Sequence, residues 1–123
     1  MITTNTISAL EKLIPLLGDA EVKSVPRIIV VDTDWRKSIT DGIFLDRPVF
    51  TGTQFNISCQ FASSSKIEFK GSLELALHNV LASVERPGNM VITVENIMTK
   101  FVKGVRAERS MKLVYIVLKN CNS

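Results

Sequence analysis

The stretch from Val49 to Phe61 constrains this chain's fold more than any other. Val49, Thr51, Thr53, Phe55, Ile57, Cys59 and Phe61 fall on one side of a two-residue period, and Gly52, Gln54, Asn56, Ser58 and Gln60 fall on the other. An extended strand puts alternate side chains on opposite faces, so this spacing gives one apolar face and one polar face. A helix of 3.6 residues per turn would scatter the same apolar set around its circumference. The chain must therefore build a sheet with something covering one side of it.

The segments on either side suggest what that is. Ile7, Leu10, Ile14 and Leu17 keep the three-to-four spacing of one helical face, with Thr6 placed to cap the start and Gly18 to stop the end. Pro15 lies inside this pattern and must kink the helix or move its boundary. Ile28-Ile29-Val30-Val31, within Pro26 to Thr33, reads as a strand buried on both faces or lodged in a sheet interior. Trp35 and Ile39 then extend the sheet toward Asp41-Gly42, a dipeptide that favours a tight turn, which makes a first hairpin.

After the turn-like Ala62 to Ser65, a short strand at Ile67 to Phe69 leads through Gly71 into a helix capped by Ser72. Its stripe is Leu73, Leu77, Val80, Leu81 and Val84, and Pro87-Gly88 ends it. Met90 to Met98 and Ser110 to Leu118 read as two more strands joined by a polar segment around Gly104. The second of them is almost continuously apolar, as a central or interface-facing strand would be. The expected fold is α+β, mainly β: a small split β-barrel or sandwich of antiparallel strands with an amphipathic helix near 72–85 and a short N-terminal helix. One domain spans 1–123, with 1–24 as N-terminal helix and linker and 25–120 as the barrel.

Chemistry-bearing residues are sparse. His78 is the only histidine and sits on the flank of the 72–85 helix, with no nucleophile nearby in sequence to serve as a base. Cys59 and Cys121 lack the spacing of a metal site; Cys59 alternates with core residues and Cys121 lies in a polar tail. Asp32, Asp34, Asp41 and Asp46 cluster in the first hairpin and read as its solvated ends, since the glycine and distal glutamate of a calcium loop are missing. Glycines stand singly, so no phosphate cradle forms. The reading is a non-enzymatic chain with no metal, cofactor or small-molecule substrate.

The chain is 46% hydrophobic and 22% charged, with mean hydropathy +0.21, which is apolar for a small domain and implies surface buried against other subunits. No apolar run approaches the length of a membrane span, and the N-terminus lacks a secretory pattern. Net charge is +3. Its densest basic stretch is Lys100, Lys103, Arg106, Arg109 and Lys112, every third residue, with Glu108 the one acid among them. These five read first as a solvated connecting arm and second, as the candidate assembly residues, as a dock for an acidic neighbouring subunit. Phe101 alone is interleaved to stack a base, so nucleic acid is disfavoured as the partner.

The order of elements also resembles a known family. Lys37-Ser38-Ile39-Thr40-Asp41-Gly42 before a long alternating strand, then a helix, Asn89-Met90-Val91-Ile92-Thr93, and a last strand closing in Val117-Leu118-Lys119-Asn120 resemble the distal tail-like (Dit-like) baseplate proteins of contractile-tailed bacteriophages. The resemblance covers roughly residues 25 to 120. The chain departs from that pattern in ending its last strand in Lys119-Asn120, where an acidic residue is more usual, and in the basic segment before it.

The resemblance implies a split β-barrel and a virion component made in the host cytoplasm. Such a subunit forms a ring, sixfold in this family, around the tail tube or hub and links it to other tail or baseplate proteins. It carries over no catalytic residue. The reading from another class is a small nucleic-acid-binding β-barrel.

Overall fold

The computed structural model describes residues 4–17, 26–50, 52–62 and 65–119, and for 4–6, 9, 98–102 and 106–110 the backbone alone. The fold is α+β and mainly β. Strands β1 (Arg27–Val31), β2 (Gln54–Phe61), β3 (Ile67–Gly71), β4 (Met90–Val102) and β5 (Val105–Lys119) form one sheet in the order β1-β5-β4-β2-β3, with helices α1 (Thr4–Leu13), α2 (Trp35–Phe44) and α3 (Leu73–Ala82). The sheet is open rather than closed into the expected barrel, because β1 and β3 stand at opposite edges and do not pair. Nor is it wholly antiparallel: β1 runs parallel to β5, with Arg27 opposite Tyr115 and Val31 opposite Lys119.

The alternating stretch becomes β2, with Phe55, Ile57 and Cys59 buried and Phe61 half-buried. The strand starts at Gln54, not Val49, since Pro48 sits in a 3-10 turn over Arg47–Val49; Thr51 lies outside the described residues. The expected first hairpin is absent. Trp35, Ile39 and Ile43 recur every four residues, which is a helical period, and they form the buried face of α2. Asp41 and Gly42 lie inside that helix, Gly42 close against Ile29, where an added Cβ would come within 2.8 Å of the Ile29 side chain.

Helix α3 begins where Ser72 accepts a hydrogen bond from the Leu75 N–H, as expected. It ends at Ala82, short of Pro87-Gly88, and Arg36 of α2 donates to the Leu81 carbonyl in its last turn and to the Val84 carbonyl just past it (3.1 and 2.8 Å). At the N-terminus, α1 starts at Thr4, which places Thr6 within the helix and not at its cap. Pro15 moves the helix boundary to Leu13, with a 3-10 turn over Ile14–Leu16. The stop at Gly18 and the tail residues Cys121 and Asn120 lie outside the described residues.

Two apolar layers hold the sheet. Leu113, Tyr115 and Val117 join Ile57, Ile92, Val94 and the buried faces of α2 and α3 on one side; Val114, Ile116 and Leu118 join Val91, Leu13 and Leu10 under α1 on the other. Leu113 to Leu118 is continuously apolar because β5 is an interior strand covered on both faces. The same doubly buried reading fails for β1. It is an edge strand, and Ile28 and Val30 are 57% and 61% exposed.

Candidate assembly surface

β4 and β5 outrun the rest of the sheet. The ladder between β2 and β4 ends where Gln54 meets Ile97, and β1 pairs only with Tyr115–Lys119. Among the described residues, Met98–Val102 and Val105–Arg109 therefore pair with each other alone, from Met98 opposite Arg109 to Val102 opposite Val105. At about 3.3 Å per residue the ribbon extends roughly 16 Å past the three-stranded part of the sheet. Its turn is Lys103-Gly104, with φ of 52° and 78°. Positive φ at both central residues is the backbone that matches the twist of a two-residue hairpin. Glycine takes it freely and Lys103 takes it at some cost.

Four of the candidate basic residues fall on this ribbon. Lys103 is exposed at the turn, and Lys100, Arg106 and Arg109 stand at backbone positions opposite Ala107, Phe101 and Met98. Lys112 stands apart, inside the sheet, where its Nζ lies 3.6 Å from Glu95 Oε2 on the facing position of β4. Met98 to Arg109 holds four of the fifteen basic residues and one of the twelve acidic ones, which leaves eleven of each sign elsewhere. All of the net charge of +3 is carried by the ribbon on a body that is neutral as a whole.

The residues considered for chemistry are dispersed. His78 is exposed on α3, beside a groove of about 590 Å³ lined also by Arg36, Thr40, Phe44 and Glu74. The nearby hydroxyls serve the backbone: Thr40 Oγ1 donates to the Arg36 carbonyl and Ser83 Oγ to the Asn79 carbonyl. Asp46 accepts from the Tyr115 hydroxyl (2.6 Å) and pairs with Arg27 Nε (2.8 Å), and Asp41 pairs with Lys37. No group of three or more metal-ligating side chains occurs among the described residues. Phe55 is buried and packs edge to face on Phe50, so it offers no platform to a base.

Two buried groups give the sheet a pH signature. Burial pushes the Cys59 thiol up to about 12; burial, then the hydrogen bond to Asp46, raises the Tyr115 hydroxyl above its usual range. In the unfolded chain both release protons earlier, so the unfolded state binds fewer protons than the native state as pH climbs above about 9. Stability is complete below that pH and falls above it, at up to about 1.4 kcal/mol per pH unit for each group. Urea titrations at a series of alkaline pH values should show the loss, and Cys59→Ala should flatten its first part.

Among the described residues, the Asn56 Oδ1 and both polar atoms of Asn96 are buried without a partner. Asn96 on β4 is fully buried, and neither its Oδ1 nor its Nδ2 is hydrogen-bonded. Gly52 closes over it so tightly that an added Cβ would come within 2.4 Å of Oδ1. Sequence reading missed Asn96 because it continues the Met90, Ile92, Val94 face as a lone polar residue, and nothing in the spacing sets it apart.

No helix among the described residues is long and apolar enough to cross a membrane. Comparison with protein-family models, with curated proteins and with solved structures finds no significant match.

Proposed function

We propose that this chain is a structural subunit of a bacteriophage tail or baseplate, which joins copies of itself in a ring around the tube or hub and docks its β4–β5 ribbon on an acidic neighbouring protein. The observation that carries the docking is the ribbon itself. A two-stranded hairpin is marginal in water when nothing covers it. This one projects beyond the sheet and concentrates the chain's net positive charge. A partner of opposite charge stabilises such an arm and steers its approach. Placement in a tail rests on the sequence resemblance over residues 25 to 120.

The test is charge reversal, Arg106→Glu with Arg109→Glu. Both positions lie where β4 and β5 have run past β2, so the variant should melt within about 0.5 kcal/mol of the parent. Its incorporation into particles should be lost. Normal particle assembly by the folded variant would refute the docking. Binding of the parent to single-stranded DNA that falls steeply with salt and vanishes in the variant would move the ribbon to a phosphate backbone instead.

A further inference from the structure

The two edges of the sheet are built differently. β3 carries Lys66 just before it and Glu68 and Lys70 within it, alternate charges of the kind that keep an edge strand from pairing with other chains. β1 carries no such guard between Ile28 and Val31. Ile28 and Val30 are registered with Ile116 and Leu118, so both lie on the α1 side of the sheet, and both are more than half exposed. Among the described residues no strand pairs with the outer edge of β1.

We propose that β1 is a self-recognition edge, through which two copies of this chain join antiparallel about a two-fold axis perpendicular to the sheet. That symmetry keeps like faces on the same side, so residues of equal parity must meet across the axis. The register centred on Ile29 satisfies this and uses all five residues of the strand. Ile28 then faces Val30 of the other copy, twice, and Arg27 faces Val31, twice. The exposed apolar pair is its own complement, and no like charges stand opposite one another. The charged row of β3 or the basic ribbon would set charges against Ile28 and Val30, so a second β1 is the better match. The two five-stranded sheets become one of ten strands, and the open edge is used up. This contact does not depend on the ribbon and holds whichever partner the ribbon takes.

The test is the mass of the purified full chain in solution. Sedimentation over a wide concentration range should reach twice the 13.7 kDa chain mass. Val30→Lys should return it to the single-chain mass with an unchanged circular dichroism spectrum, and the Arg106→Glu, Arg109→Glu variant should remain a dimer.

A covalent test fixes the register even if Val30→Lys folds poorly. In a Cys121→Ser background, Ile28→Cys mixed with Val30→Cys should form a disulfide-linked pair on mild oxidation. Directly opposed antiparallel residues lie about 4.5 to 5.5 Å apart at Cα, within disulfide reach. Each variant alone should link far less. A parent that stays at the single-chain mass at every concentration overturns the proposal, as does a dimer indifferent to Val30→Lys or equal linking by either variant alone. Loss of particle incorporation by the ribbon variant, with the dimer intact, would separate the two contacts.

Discussion

Val117→Asp is expected to leave the chain largely unfolded at 25 °C and neutral pH. Val117 is fully buried at the centre of the larger core, among side chains from β1, β4 and the two helices, with no polar partner at hand. A carboxyl group there costs about 4 to 7 kcal/mol even when it takes a proton to avoid burying charge, against a total stability of about 5 to 15 kcal/mol for a domain. Because burial raises the carboxyl's folded pKa above its unfolded value, the variant should regain stability as pH falls and lose it as pH rises. Val114→Asp makes the informative comparison. Val114 is equally buried, but the layer above it is a single helix that can move aside. Its cost should be roughly half as large. Equilibrium urea unfolding followed by circular dichroism measures both, and a Val114 variant as disrupted as the Val117 variant would show that α1 is as firmly seated as α2 and α3.

The second large effect comes from the orphaned amide. Asn96→Leu, close to it in shape, should raise stability by about 1 to 3 kcal/mol, since both unbonded polar atoms leave the interior together. Gly52→Ala should lower stability by about 1 to 3 kcal/mol, because the new methyl runs into Asn96 Oδ1. In an Asn96→Ala background that obstacle is gone, and Gly52→Ala should cost little. A double-mutant cycle reads this as a coupling energy. Strict additivity would mean that the penalty at Gly52 comes from its backbone and not from the contact.

What the sequence revealed follows from where a single element's pattern is self-sufficient. Helix α3 has its own cap and stripe, and β2 its own alternation, so both were legible without their neighbours. Helix α2 was not, because Trp35 and Ile39 ahead of Asp41-Gly42 look like a strand running into its turn, and only Ile43 completes the helical spacing. The competing signal was the spacing itself. β1 misled for a different reason: four β-branched residues look doubly buried, yet only the sheet order tells an interior strand from an edge one. The same order, with β1 and β3 apart, decides against a barrel, and no local pattern encodes it. Of the candidate surface, the basic residues were visible as a row, but the ribbon was not. Its strands carry no apolar alternation, and the turn Lys103-Gly104 lacks the Asn-Gly or Asp-Gly of an obvious hairpin.

The parallel pairing of β1 with β5 also sets an order in time. Arg27 finds its place beside Tyr115, and among the described residues its strand has no other partner in the sheet. On a ribosome that emits about 5 to 20 residues per second, β1 therefore waits several seconds, unpaired and strongly apolar, until the last strand has emerged. The hairpins of β2 with β3 and of β4 with β5 close over short loops and form early, whereas β1 must be added across a separation of 88 residues, from Arg27 to Tyr115. A chain stalled or cut before Tyr115 would keep that strand permanently without its seat, an apolar segment left open to pairing with other chains.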